Sequence, residues 1–535
     1  MSQKNFAITP SVSISRSKFR RPSQHKTSFN LGDIVPIYLD ADILPGDTVS
    51  MDLATLVRMS TPIAPIMDNI FVDYYAFFVP NRLVWSNWKQ FMGENTSSYG
   101  AATEPNMPQV NIGTGGNVVT TGSLGDYFGL PALTNVSGLF VSALPGRAYY
   151  LIYNEWFRDQ NIIAPVPLLT ANTGIFTGDT GYASALRKAA KESDYFTRAL
   201  PYAQKGSPVS LPLGTIAPVI TENNLHDMGT SPLKLGSGAS FSGYKQVIFH
   251  DSGAAFGVDT GAGTNAVDIT KSNLIVDLAN ATSATINQLR FAFQYQKFLE
   301  KDALYGTRYW EILKGHFGIT APDASLQRPE LLGHFRQHIN VDQVLQTTGY
   351  DPSASSELAS IGANSVSGKS EHLISKSFVE HGILMILAVA RHDQTYGQGI
   401  NRMWSRTHRT DYYFPVFANL GSQEILRKEI YADNTSYNVG FGFQEAWAEY
   451  RYKPSIVSGL LNPNVANSLG FWTLANRFGS APTLTQSFIE QDRTALSDAL
   501  VTGSTGPDFI ADFYFDAVYV RPMPMYSLPG LIDHH

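Results

Sequence analysis

The sequence predicts a mainly β protein interrupted by a few helices, and three observations point there. Residues 70–79 (IFVDYYAFFV) and 513–520 (FYFDAVYV) are dense in aromatic and β-branched residues and stop at or just before a proline, as strands do. Residues 382–390 (GILMILAVA) are apolar throughout, too short to cross a bilayer and of the length of a strand buried on both faces. The helical segments do not alternate regularly with the strands, so a doubly wound βαβ sheet is not expected.

Shorter strands are expected at 34–39 and 412–417. A helix is expected over 147–160, where Tyr149, Ile152, Tyr153 and Trp156 form one apolar stripe. A second is expected over 183–200, with Arg187, Lys188, Lys191 and Arg198 on its polar face. A third covers 284–300, where Ile286, Leu289 and Phe293 line one stripe and Phe291, Tyr295 and Phe298 another. Two stripes predict packing on two sides. Residues 93–135, 205–285 and 349–370 are rich in small and polar residues, and loops of that length are uncommon unless they carry a function or structure of their own. The second holds ten glycines and no tryptophan, with short β-prone runs at 246–249 and 273–278. No internal repeat is present.

Charge adds a direction. Charged residues are only 16% of the 535, against roughly 25% in an average soluble domain, while aromatics reach 12%. Interface cores have that bias, so a surface largely covered by neighbours is expected. The net charge of -6 argues against an all-over basic nucleic-acid binder. Residues 1–30, however, carry Lys4, Arg16, Lys18, Arg20, Arg21 and Lys26 and no acid. A basic arm on an acidic body implies a polyanion on one side only. Such an arm is either a solvated tail or a phosphate-gathering segment, and the two are compatible. Arg16, Lys18, Arg20, Arg21 and Lys26 are the candidate nucleic-acid contacts.

Catalytic signals are thin. The chain has no cysteine, which removes disulfides, thiolate zinc sites and thiol nucleophiles. His334 and His338 (HFRQH) have the i, i+4 spacing of a helical zinc pair but lack the intervening Glu and a third ligand. Residues 113–116 (GTGG) lack the GK[ST] of a phosphate loop. Asp33, Asp40 and Asp42 lack calcium-loop spacing and read as turn acids. Asn135, Asn280 and Asn434 lie in glycosylation sequons that mean nothing without secretion, and Met1 to Ser15 has no apolar leader. No cofactor and no metal are expected, and no membrane insertion.

Five blocks carry a family resemblance: 51–95 (MDLATLVRMSTPIAPIMDNIFVDYYAFFVPNRLVWSNWKQFMGEN), 285–329 (TINQLRFAFQYQKFLEKDALYGTRYWEILKGHFGITAPDASLQRP), 399–414 (GINRMWSRTHRTDYYF), 444–455 (QEAWAEYRYKPS) and 521–534 (RPMPMYSLPGLIDH). In these the chain resembles the major capsid proteins of microviruses, the gokushovirus branch in particular. The blocks run in family order and frame nearly the whole chain. The resemblance implies an eight-stranded antiparallel viral jelly-roll barrel with long inter-strand insertions. It implies a T=1 icosahedral shell around circular single-stranded DNA, built in the bacterial host cytoplasm with an internal scaffolding protein and holding a small basic DNA-binding protein.

The expected organisation is a basic arm over 1–30, internal to the particle by the charge argument, then a barrel body over 31–204 and 286–535. Residues 205–285 form a variable insertion that the resemblance places as a threefold protrusion, contributing to attachment to a host surface receptor. The competing class is a carbohydrate-active β-sandwich enzyme, which needs two positioned carboxylates. Glu155, Glu311 and Glu445 are nominees, and nothing in the sequence singles out a pair.

Overall fold

The computed structural model describes residues 15–94, 105–113, 118–132, 139–172, 181–209, 219–221, 247–249, 256–259, 264–267, 274–276, 286–345, 361–433 and 437–527. The chain divides into two compact units, Gln204–Asp302 and the remainder. The long strands of the larger unit are β1 (Ser17–Arg20), β2 (Ser23–Phe29), β3 (Ile34–Ile43), β4 (Thr48–Met59), β5 (Ile70–Pro80), β6 (Glu330–Ile339), β7 (Ser367–Ser377), β8 (Gly382–His392) and β9 (Phe509–Arg521). They form two antiparallel sheets. One runs β1–β9–β4–β7 with β2 also on β9, the other β6–β5–β8–β3. The mainly β expectation holds.

β1 and β2 are one edge strand. Ser17 opposite Arg521 and Phe29 opposite Phe509 lie on a single unbroken register along β9. Between them the Arg21 N–H donates to the Ala517 carbonyl at 2.7 Å. The strand is split only at Pro22, which has no N–H to give, and a sheet edge is where proline is tolerated.

The core lies between the sheets, and the two sheets read differently for a physical reason. In β4, Val49, Met51, Leu53 and Val57 point inward while Ser50, Asp52, Leu56 and Arg58 are exposed. β9 alternates likewise, with Phe509, Phe513, Phe515 and Tyr519 inside. That is the pattern of a sheet with one wet face. β5 and β8 are buried almost residue for residue, because their sheet is covered on its outer side too. There α1 (Leu144–Ile152) and its π-helical continuation Tyr153–Phe157 pack. The Trp156 ring lies 5.4 Å from Phe77, and Phe157 meets Tyr75 edge-on at 5.3 Å. The helix expected over 147–160 is therefore present, with Tyr149, Ile152 and Tyr153 buried. Across the core Tyr74 meets Phe513 at 5.9 Å, and the buried Gln337 of β6 accepts hydrogen bonds from Tyr74 Oη and Thr55 Oγ1, both at 2.8 Å.

Other expectations are corrected. Residues 183–200 are not a helix but a strap, extended as far as Asp194 and closing in a single turn at 195–198. Its backbone bonds go to neighbours: Ile34 N–H to Arg187 O, Ala189 N–H to Gly32 O, and Lys191 N–H to Ile489 O. Residues 412–417 are not a strand. The chain there makes 3-10 turns at Arg409–Asp411 and Pro415–Phe417, and Pro415, lacking an N–H, opens the second. Residues 349–370, by contrast, carry structure of their own as expected for a stretch of that length, a short strand at Ile361–Asn364 being followed by the start of β7.

In the smaller unit Val219–Thr221 pairs with Leu274–Val276, and Phe256–Asp259 lies between Val247–Phe249 and Thr264–Val267. α2 (Ile286–Tyr305) supplies the third expected helix. Among the described residues it does not pack on two sides. Ala292 and Leu299 are buried, but Phe291, Phe293, Tyr295 and Phe298 are 69%, 60%, 44% and 47% exposed. No helix among the described residues is long and apolar enough to cross a membrane.

Candidate nucleic-acid face

The outer face of the β1/β2–β9–β4–β7 sheet is open. Alternate residues share a face of a strand. Lys18, Arg20, Gln24, Lys26 and Ser28 therefore project from the edge strand, Ile510, Asp512, Tyr514 and Asp516 from β9, and Asp52, Leu56 and Arg58 from β4. Cross-strand register sets Lys26 beside Asp512 and Leu56, and Ser28 beside Ile510 and Arg58.

Three of the five candidate cations stand on this face. Arg20 forks onto Asp516 at 2.8 and 2.7 Å, in solvent; such a surface pair is weak and exchanges readily for another anion. Among the described residues Lys18 and Lys26 form no salt bridge. Arg16 is exposed beside the turn at Gly46, where φ is +93° and a Cβ would stand 3.4 Å from Arg16 Nη2. Arg21 turns elsewhere. Its Nη1 donates to Asp40 Oδ2 at 2.7 Å, and its guanidinium lies 4.7 Å from the Tyr519 ring centre. Asp40 is nearly buried and also accepts from Tyr519 Oη at 2.8 Å, so Arg21 is tied into the end of the sandwich. Arg58 was missed by sequence reasoning, although the alternation of β4 carried the signal: Val57 and Met59 point in, Leu56 and Arg58 out. Between the edge strand and β4 lies a shallow hollow of about 500 Å³, walled by Leu56, Pro507 and Ile510 together with Lys26, Arg58 and Asp512.

The other candidates do not assemble into chemistry. His334 and His338 sit on β6, not on a helix. At strand spacing four residues span about 13 Å, too far for one ion. His334 instead lies 3.3 Å from Asp73. Among the described residues no cluster of three or more metal-ligating side chains occurs. Asp33 pairs with Lys188 at 2.6 Å. Of the carboxylate nominees, Glu311 is engaged by Arg308 at 3.4 Å and Glu445 by Arg451. Residues 114–116 of the glycine run and Asn135, Asn280 and Asn434 lie outside the described residues.

Two buried charge clusters shape the electrostatics. Asp73 of β5 has no exposed side-chain surface. It takes Arg336 at 2.7 and 3.0 Å and Arg391 at 3.0 Å. Burial pushes its pKa up, but the bonds from His334 and Arg336 and the charges of Arg391 and Arg336 outweigh this and hold it at about 2. A cavity of about 740 Å³ is lined by Lys191, His392, Phe471, Phe478, Phe488 and Asp492, among others. Burial draws His392 down to about 4 against its bond to the Asp393 carbonyl, and draws Lys191 down to about 8 against Asp492 and Asp194.

A sandwich of antiparallel sheets with an open, cation-bearing face, and a chain that leaves a row of aromatic side chains uncovered, defines a structural protein that acts through its surfaces. The chain belongs to the phage capsid protein (F protein) family, whose model matches residues 7–531. It is 41% identical to the capsid protein VP1 of Bdellovibrio phage phiMH2K over 540 residues, covering 99% of this chain and 98% of that one. It is 37% identical to VP1 of Chlamydia phage 1 and 36% identical to VP1 of Spiroplasma virus 4, each over 98% of this chain and 97% of the relative. The protein is a major capsid protein of the microvirus, gokushovirus-type kind, a component of a virion that assembles as a shell of copies, and not an enzyme.

Proposed function

We propose that the sheets are the eight-stranded viral jelly roll and that the subunit builds a T=1 shell around circular single-stranded DNA, with β1/β2 and the arm before them facing the interior. The observation that carries the reading is strand order. With β1/β2 counted as one strand, eight strands divide four and four. The first, last, third and sixth in chain order share one sheet, and the second, seventh, fourth and fifth share the other. That is two interlocked Greek keys, the connectivity that jelly rolls use. The uncovered aromatic row of α2 and the low charge support a subunit whose surface is finished by neighbours. Assembly proceeds with an internal scaffolding protein in the host cytoplasm, and the shell also holds a small basic DNA-binding protein.

Lys18, Arg20 and Lys26 meet phosphates without reading sequence, since contacts to the backbone position rather than specify; Arg16 and Arg21 extend the same edge. Replacing Lys18, Arg20 and Lys26 by glutamine should leave particles intact and make genome retention less salt-sensitive, the log–log slope falling by about 2 at roughly 0.7 per phosphate on a single strand. An unchanged slope, or cleavage of the arm by protease on intact virions, overturns the interior assignment.

Residues 205–285 are the outward insertion, shared by three chains at the threefold axes and used in attachment to the host receptor. The supporting observation is composition, since few large apolar anchors are available to join a main core. Replacing 205–285 by a short Gly/Ser linker should leave shells that lack threefold density and adsorb poorly to host cells. Lost shell formation would make the segment an assembly element, and unchanged adsorption would remove the receptor role.

A further inference from the structure

The open sheet face is more than a row of cations. Its hollow has an apolar floor, Leu56 and Ile510, each of which keeps 41% or more of its surface in solvent. Lys26 stands on one side and Arg58 on the other, two strands apart across β9. Among the described residues neither makes a salt bridge. Asp512 lies between them, its carboxylate accepting from Gln24 Nε2 at 2.7 Å. Tyr514, 42% exposed, is the next outward residue along β9.

Phosphate binding alone needs cations and no apolar floor. A flat exchange of counterions leaves Leu56 and Ile510 unexplained. An apolar shelf between two cations, with a carboxylate at its edge and an aromatic ring alongside, matches instead the two halves of an unpaired nucleotide. The base is flat, apolar on its faces and bears amino groups at its rim; the phosphates flank it. A double helix cannot offer that shape, because its bases are stacked inside.

We propose that the hollow between β2, β9 and β4 is a base-binding subsite for single-stranded nucleic acid, with Leu56 and Ile510 under the base and Lys26 and Arg58 on its adjoining phosphates. Asp512 accepts from an exocyclic amino group, and Tyr514 offers a stacking face to the next base. The inference rests on the interior, genome-facing reading of this sheet, and goes beyond it by requiring the base as well as the backbone.

The test uses purified full-length subunit at low salt and compares a short oligodeoxynucleotide with an abasic phosphodeoxyribose chain of equal length, by fluorescence anisotropy. The base-bearing strand should bind roughly tenfold more tightly, the effect of one base stacked on the protein. Ile510→Ser should erase most of that difference, with the affinity for the abasic chain unmoved. Arg58→Gln should weaken both ligands alike and lower the salt slope by about 0.7. Circular dichroism of each variant checks that the sheet is intact; should Ile510→Ser misfold, Leu56→Ser serves in its place.

Equal binding of base-bearing and abasic chains by the parent overturns the subsite, while leaving phosphate contacts and the interior assignment standing. A difference that survives both serine variants overturns the placement in this hollow. Failure of the interior assignment would be read separately, from protease access to the arm on intact virions.

Discussion

Replacing Asp73 by alanine is expected to destabilise the subunit by about 3 kcal/mol, a large share of the stability of a marginally stable chain. The carboxylate is fully enclosed and answers two arginines on neighbouring strands, Arg336 on β6 and Arg391 on β8. Removing it strands those guanidiniums under the strap at 187–191, where Arg391 already donates to the Ala190 carbonyl at 2.9 Å. Breaking a buried pair from one side costs roughly 3–5 kcal/mol. The lower end applies because Arg336 keeps 34% of its side chain in solvent. The midpoint of denaturant unfolding reads the effect, and a shift worth less than about 1 kcal/mol would show that the network contributes little. Asp73 also sets an acid limit. Its folded pKa lies below the ordinary value, so its contribution is present above pH 4 and is lost as pH falls toward 2.

A milder acid window belongs to His392. The ring is almost fully buried and its pKa is drawn from 6.5 to about 4. The folded protein therefore keeps His392 neutral while the unfolded chain protonates. Stability is complete above pH 6.5 and declines as pH falls from 6.5 to 4, by about 3 kcal/mol from this group. Lys191 lowers the His392 pKa further, while Asp393 and Asp492 raise it, so the cluster as a whole sets the steepness. His392→Gln is expected to flatten this part of the pH profile, measured as denaturant midpoints from pH 4 to 7. A parent profile already flat over that range would overturn the assignment.

Much of the sandwich was legible in the sequence because burial writes itself into strand composition. Residues 70–79 and 382–390 have no polar alternation, since helix and strap cover their outer face, and 513–520 alternates because its outer face is wet. The strap at 183–200 was misread because its cations Arg187, Lys188, Lys191 and Arg198 fall at helical intervals while its backbone partners come from Gly32, Ile34 and Ile489, distant in sequence. His334 and His338 illustrate a second ambiguity: a four-residue spacing is shared by helix and strand faces, and only the element decides whether two rings meet. The basic residues were found, but not their division. Whether Arg21 reaches solvent or Asp40 depends on where β3 ends in space, and the cation beside the hollow, Arg58, belongs to a strand far from the basic stretch.

The position of β9 has a consequence for synthesis. It is the last of these strands to leave the ribosome, yet it sits between β2 and β4, which touch it and not each other. At roughly 5–20 residues per second, β4 waits on the order of 20 to 90 s for its central partner. Through that interval a nascent chain carries a bare strand edge, and neighbouring ribosomes on one message hold identical copies. Asp52 and Arg58 on β4 are the kind of charges that discourage premature edge pairing. A chain cut short before residue 509 lacks the strand that joins β2 to β4, and with it the surface around Lys26. Prematurely terminated products therefore lack a complete sheet, and topology alone keeps them out of the building stock.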